Sequence, residues 1–247
     1  MDKKLNNDIH IFLIGGNSTI GQAITQGLKK KYSSHNEIKV TSFARGQSEF
    51  KNLGDIIYVK NYIESILYIK EVKLKNPYLK IIIVISFGVL VEEKNDISFY
   101  NNLTHHLDVN TFQPLKILSA LKPIDSFLEV HLVSSILADF IRPSLYSYSF
   151  SKSFLEILLK DQLYRENNMD KLYIWKPAYV ASKLNEGRSP SFIKTNPEKI
   201  EKIVSNTKSG GFLYIPKFTV ILTRVAKKLS SVIKLIDKKS KKHESNI

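Results

Sequence analysis

The sequence predicts an α/β fold, a doubly wound parallel sheet of seven strands, followed by an amphipathic basic helix at the C-terminal end. Three observations carry this. Short apolar runs bounded by polar or turn residues alternate with longer segments whose apolar residues recur every three or four positions, the pattern of repeated βα units. The run Ile81-Ile82-Ile83-Val84-Ile85 lacks the alternation of a half-solvated strand, so helices must cover both its faces. The 247 residues suit one layered domain, and neither an internal repeat nor a Gly/Ser-rich linker divides them.

In chain order, the apolar runs place strands at His10–Ile14, Ile38–Phe43, Ile56–Val59, Ile81–Ile85, Phe127–Val133, Leu172–Trp175 and Phe212–Ile215. The helical periodicity between them falls at Ile20–Lys31, Ile63–Lys73, Tyr100–Leu121, Tyr146–Glu166 and Pro197–Thr207. Gly27, inside the first helix, is expected to allow close helix–sheet contact, and Trp175 is expected in the core. The organisation is a domain over residues 1–216 and a helix and tail over 217–247. In the tail, Phe218, Ile221, Val225, Leu229, Val232 and Ile236 fall on one helical stripe. Nine Lys and Arg against two acids from Lys217 onward give this segment +7, half of the net charge of +14.

Hydrophobic residues make up 43% and charged residues 24%, which excludes a disordered or low-complexity chain. The positive charge favours an anionic partner: nucleic acid, a phosphorylated small molecule or a membrane surface. The absence of cysteine excludes disulfides, thiol catalysis and Cys-ligated zinc. The six His show no metal-ligand spacing, so no metal site is expected. No nucleic-acid-binding module is present to accompany the basic residues. The polar Met1–Asp8, the short apolar run after it and the lack of any spanning apolar stretch predict a cytoplasmic protein.

The first strand runs into Gly15-Gly16-Asn17-Ser18-Thr19-Ile20-Gly21 and then a helix. A dinucleotide pyrophosphate needs this arrangement, because small residues admit the phosphates and the helix start supplies free N–H donors and a positive dipole end. A tight strand–helix turn without a ligand is the alternative. At the end of the second strand, where a Rossmann fold specific for NAD has an acid, stand Ala44 and Arg45. Arg45 suits a 2′-phosphate and favours NADPH over NADH; the alternative is a solvated surface arginine.

Tyr148 and Lys152 are four residues apart in a predicted helix and share a face. An ammonium near a phenol is expected to lower the Tyr pKa from about 10, making Tyr148 a general acid near neutrality. Ser135, thirteen residues earlier at the end of the fifth strand, supplies a hydroxyl for a substrate oxygen. In order along the chain, the glycine turn, Asn110, Ser135 and the Tyr148/Lys152 pair resemble the short-chain dehydrogenase/reductases over about residues 9–216. The resemblance implies that Tyr148 donates the proton, Ser135 polarises the carbonyl, Lys152 tunes Tyr148 and bonds the nicotinamide ribose, and Asn110 holds a relay water. It also assigns cofactor contacts to Gly15, Asn17, Ser18, Thr19, Ile20, Gly21, Ser86, Phe87, Gly88, Pro177 and Val180, and implies a homo-oligomer, dimer or tetramer, through the helices at Tyr100–Leu121 and Tyr146–Glu166. Three departures stand out: Thr19 replaces the middle glycine, Ser86-Phe87-Gly88 replaces Asn-Ala-Gly, and Pro177-Ala178 replaces Pro-Gly.

Within that family, Gly15–Gly21 together with Ser86-Phe87-Gly88-Val89-Leu90 is similar to the branch that reduces the 2-keto sugar of decaprenylphosphoryl-ribose. The segment Lys176–Leu184 is compatible with it. That implies a lipid-linked keto-sugar substrate, a partner oxidase and a role in cell-surface polysaccharide biosynthesis. The basic amphipathic tail would then lie on the inner face of an anionic cytoplasmic membrane; packing on the domain or on a partner subunit is its alternative. Ala181–Asn196, carrying Lys183, Arg188 and Lys194, is expected to be a lid that selects substrate, or else an ordinary loop. Two other functions stay open: reduction of another ketone, such as a nucleotide-linked keto sugar, a 3-ketoacyl or a steroid substrate, and a non-catalytic NADP-binding scaffold or redox sensor.

Overall fold

The computed structural model describes residues 8–35, 37–46, 53–91, 96–121, 128–139, 145–166, 171–180 and 194–215. Nine strands occur among them: β1 (Ile9–Ile14), β2 (Ile38–Ala44), β3 (Asp55–Tyr58), β4 (Lys80–Ile85), β5 (Leu128–Val133), β6 (Leu172–Pro177), β7 (Tyr179–Val180), β8 (Lys194–Thr195) and β9 (Gly211–Ile215). Seven form one sheet in the order β3-β2-β1-β4-β5-β6-β9, every pair parallel. The other two, β7 and β8, pair separately and were not anticipated.

The helices are α1 (Thr19–Lys31), α2 (Glu64–Lys75), α3 (Asp96–Leu107), α4 (Gln113–Leu121), α5 (Tyr146–Glu166) and α6 (Pro197–Ser205). Strand alternation sorts the apolar residues into two cores. Phe12, Ile14, Ile81, Ile83 and Ile85 pack with Ile66 and Ile69 of α2, Ile117 and Leu121 of α4, and Leu155 and Leu159 of α5. Ile9, Ile11, Leu13, Ile82 and Val84 pack on the opposite face with Ile24 and Leu28 of α1 and Ile200 and Val204 of α6. Both faces of the central strands are thus covered, as their continuous apolar runs require. Trp175 is in the core, fully buried, its Nε1 donating to His131 Nδ1 at 3.1 Å.

Two expectations change. Gly27 serves helix–helix rather than helix–sheet contact: a Cβ there would lie 2.6 Å from Val204 Cβ and 2.7 Å from Glu201 O, both on α6. The helix expected at Tyr100–Leu121 is broken by a π-helical turn, Asp108–Phe112, which widens the backbone where Asn110 turns inward. The amphipathic tail lies outside the described residues, as do Lys183 and Arg188. Among the described residues no helix is long and apolar enough to cross a membrane.

Candidate active site

The sheet order reverses direction at β1, between β2 and β4, which opens a crevice at the carboxyl ends of the strands. The glycine turn fills the near side of it. Gly15 has φ +97°, a left-handed conformation, and a Cβ there would meet Ser86 O at 2.5 Å. The Gly15 and Gly16 N–H groups donate to Phe43 O at 3.0 and 2.8 Å, tying the turn to β2. Ser18 caps α1, accepting from Gly21 N–H at 3.2 Å, and its hydroxyl pairs with that of Ser86 at 2.7 Å. Gly21 cannot carry a side chain, since a Cβ would fall 2.7 Å from Ser86 Cβ. The Thr19 and Ile20 N–H groups open α1 ahead of any intrahelical acceptor. Asn17 Nδ2 reaches back to Arg45 O at 3.4 Å.

Arg45 is exposed at the end of β2, its guanidinium 4.8 Å over the ring of Tyr62. Tyr62 also stacks on Phe87 at 4.5 Å. Two residues assigned from sequence, Arg45 and Phe87, are therefore joined by a third, Tyr62, that carried no motif. Its only signal was an aromatic between the third strand and the second helix.

Farther along the crevice, Gly88, Asn110 and Lys152 meet. A Cβ on Gly88 would lie 2.9 Å from Asn110 Oδ1 and 3.5 Å from Lys152 Nζ. Asn110 is fully buried; its Oδ1 accepts from Val89 N–H at 2.9 Å, and its Nδ2 donates to Val89 O at 3.0 Å and Ser151 Oγ at 3.2 Å. Lys152 Nζ donates to Val133 O at 3.3 Å. Ser135 Oγ accepts from Leu137 N–H at 3.2 Å, opening the 3₁₀ turn Ile136–Ala138. Tyr148 lies close enough to Ser135 for that hydroxyl to act on its phenol. Asn110, Ser135, Tyr148 and Lys152 thus gather at one sheet edge from the π turn, the end of β5 and α5. Pro177 ends β6 opposite Ile215, and Val180 pairs through its backbone with Thr195.

The electrostatics correct one expectation. Burial raises the Tyr148 pKa, with the Ser135 hydroxyl pulling the other way. Burial lowers that of Lys152 to about 8, opposed by the attraction of Glu156. The low-dielectric site penalises both charged forms, phenolate and ammonium, and the helical spacing of Tyr148 and Lys152 does not overcome that penalty. His106 is a further residue that sequence reading passed over, having considered it only as a metal ligand. Its Nε2 accepts from Val91 N–H at 3.0 Å, its Nδ1 pairs with Ser147 Oγ at 2.9 Å, and its ring stands edge-on 6.0 Å from that of Tyr148. Among the described residues no three His, Asp or Glu side chains gather as for a metal ion.

No family model and no curated protein matches the sequence. Solved structures do. The aldohexose dehydrogenase of Thermoplasma acidophilum, ligand-free, superposes with a TM-score of 0.65 at 17% identity, covering 84% of this chain and 92% of that one. A short-chain dehydrogenase of Burkholderia cenocepacia, in complex with NADP, gives 0.64 at 16% identity, covering 92% and 94%. The short-chain dehydrogenase/reductase of Serratia marcescens gives 0.64 at 16%, covering 85% and 96%. This chain shares the doubly wound fold of these proteins.

In this fold, the residues at the crevice fit a dinucleotide. The turn is bare of side chains where Gly15 and Gly21 approach Ser86, the start of α1 offers N–H donors, and Arg45 supplies a cation where an acid would select NAD. Ser18 and Ser86 lock the turn to the β4 loop, and Gly88 keeps the space beside Lys152 and Asn110 clear.

Proposed function

We propose that this chain is an NADPH-dependent carbonyl reductase. The observation that carries the reading is the meeting of Ser135, Tyr148, Lys152 and Asn110 at the carboxyl edge of the sheet, in the same crevice as the glycine turn. Gly15–Gly21 and Arg45 would hold the pyrophosphate and the 2′-phosphate, and Lys152 the nicotinamide ribose. NADPH held there would supply the hydride for the carbonyl carbon. Tyr148 gives its phenolic proton to the carbonyl oxygen, and Ser135 donates a hydrogen bond to that oxygen as negative charge develops. Lys152, as an ammonium, stabilises the phenolate left on Tyr148. Asn110 spends its amide on Val89 and Ser151, keeping one Oδ1 lone pair for a relay water. A solved neighbour of similar fold is a complex with NADP, in accord with this choice of cofactor.

As substrate we favour a polyprenyl-phosphate-linked 2-keto pentose, a reading supported by the sequence similarity of Gly15–Gly21 and Ser86–Leu90 to one branch of the family, with the basic tail bringing the enzyme to an anionic membrane. The test is NADPH oxidation against a panel of keto sugars with and without a prenyl-phosphate carrier. Activity confined to carrier-linked sugars is the expected result; activity only on free ketones removes the lipid carrier. Tyr148→Phe should lower turnover by about 10²–10⁴-fold with NADPH affinity unchanged. A scaffold or sensor would bind NADPH equally in both forms and turn over in neither.

A further inference from the structure

One turn beyond Lys152 on α5 lies Glu156, which is 4% exposed. Two donors share its carboxylate: Ser134 Oγ reaches Oε1 at 2.5 Å and Lys176 Nζ reaches Oε2 at 2.7 Å. Lys176 comes from β6, immediately before Pro177, and is 1% exposed. Its ammonium also meets Asp139 Oδ2 at 2.9 Å, on the turn that follows Ser135, and faces the rings of Tyr214 and Phe212 of β9. Lys152, Glu156, Lys176 and Asp139, from three different segments, thus form a buried patch whose formal charges cancel.

A buried ion group is a poor source of stability, because desolvating its members offsets their mutual attraction, and apolar residues of similar volume commonly serve as well. Its location directly behind Lys152 supplies a chemical use. We propose that Glu156 is the counter-charge of Lys152, a positioning residue that keeps it an ammonium, and that Ser134 and Lys176 hold the carboxylate in place for that task. This rests on the reductase reading of the same site, in which a neutral amine at position 152 would leave the Tyr148 phenolate unsupported.

Among the described residues, the carboxylate that acts on Lys152 is that of Glu156, while Asp139, the other acid of the patch, is paired with Lys176. The β4 loop presents Gly88, the π turn presents the neutral amide of Asn110, and β5 presents the Val133 carbonyl. Tyr148 on its own helix is a neutral phenol before reaction. Lys160, two turns on, lies over the ring of Phe212. Burial alone drives Lys152 toward the neutral amine, and the attraction of Glu156 opposes that, leaving the group at about 8.

Glu156→Gln is the decisive variant. It keeps an acceptor for Ser134, and Asp139 keeps Lys176 partnered, but one buried cation loses its carboxylate, so a thermal melt first checks that the variant folds. The titration of Lys152 is followed by NMR of labelled lysine side chains in the full-length protein, beside the pH profile of NADPH-dependent reduction. In E156Q the Lys152 midpoint should fall by one unit or more, and kcat at pH 7.5 by about threefold or more, with the NADPH KM within threefold. Glu156→Asp should restore most of both. Lys176→Met, which uncovers the carboxylate, should move the Lys152 midpoint the opposite way, and serves if E156Q does not fold. Superimposable Lys152 titrations in wild type and in either folded variant overturn the proposal. A wild type that reduces no ketone overturns the reductase reading instead, and the NMR titration still reports on the charge pairing.

Discussion

Asn110 offers the sharpest test of how the crevice is built. It is fully buried and holds Val89 by both backbone groups, at 2.9 and 3.0 Å, with a third bond to Ser151 Oγ at 3.2 Å. Asn110→Ala removes all three. At a net value of about 0.5–1.5 kcal/mol each, the sum is about 1.5–4.5 kcal/mol, and water reaching the half-exposed Val89 places the expected loss near 3 kcal/mol. For a chain of this size that corresponds to a fall in Tm of roughly 6–12 °C. Asn110→Asp keeps the volume and the acceptor for Val89 N–H but turns an oxygen on Val89 O. It should cost about 2 kcal/mol, less in acid, where a protonated carboxyl can donate to that carbonyl. The sign follows from burial, which raises a carboxyl pKa, so the penalty grows as pH rises through and above the usual carboxylate range. Calorimetry gives the Tm, and hydrogen exchange at the Val89 amide gives the local effect. If Asn110→Ala melts within 2 °C of wild type and leaves Val89 exchange unchanged, the clamp is not what holds the β4 loop.

Three further predictions follow from the same geometry. Arg45→Ala removes the cation held over Tyr62 and should raise the NADPH KM about 10–100-fold while leaving NADH kinetics within threefold, read from paired kcat/KM values. Acid should destabilise the fold in two stages. Burial chiefly, helped by Lys39 and opposed by Asp55, lowers His10 to about 4, so its contribution is complete above about 6.5 and lost as pH falls toward 4. Glu129 follows, because hydrogen bonds from His131 and Tyr32 and the charge of Lys80 outweigh the effect of burial and hold it at about 2; its share is lost between about 4.5 and 2. Each shift is worth on the order of 3 kcal/mol, and His10→Gln should flatten the first stage of a denaturant-midpoint series across pH. The ring ladder Phe99–Tyr146–Phe150–Phe154 on α3 and α5 leaves Tyr146 38% and Phe150 37% exposed, so Phe150→Glu should shift sedimentation from an oligomer to a monomer if these helices pair between copies.

The parts of the site that could be read in advance are those whose chemistry is local in sequence. Gly15 and Gly21 sit in one turn, Tyr148 and Lys152 on one helical turn, and Ile81–Ile85 announces its two covered faces within five residues. What escaped depends on contacts across long stretches of chain. Tyr62 acquires its role only when Arg45 and Phe87 arrive from β2 and the β4 loop. His106 matters because Val91 and Ser147 come to it from opposite sides. The π turn cannot be read from apolar spacing, because it is one widened turn in a helix whose periodicity otherwise continues on both sides. Tyr148 shows the limit of local reasoning most clearly. Helical spacing puts a lysine one turn along the same helix, yet the direction of the Tyr148 pKa is set by burial, which the sequence of α5 alone does not report. A Tyr/Lys pair therefore becomes a proton donor only when the surrounding fold supplies the missing charge balance. In this chain, the buried carboxylate of Glu156, held by Ser134 just past β5 and by Lys176 of β6, is positioned to supply it.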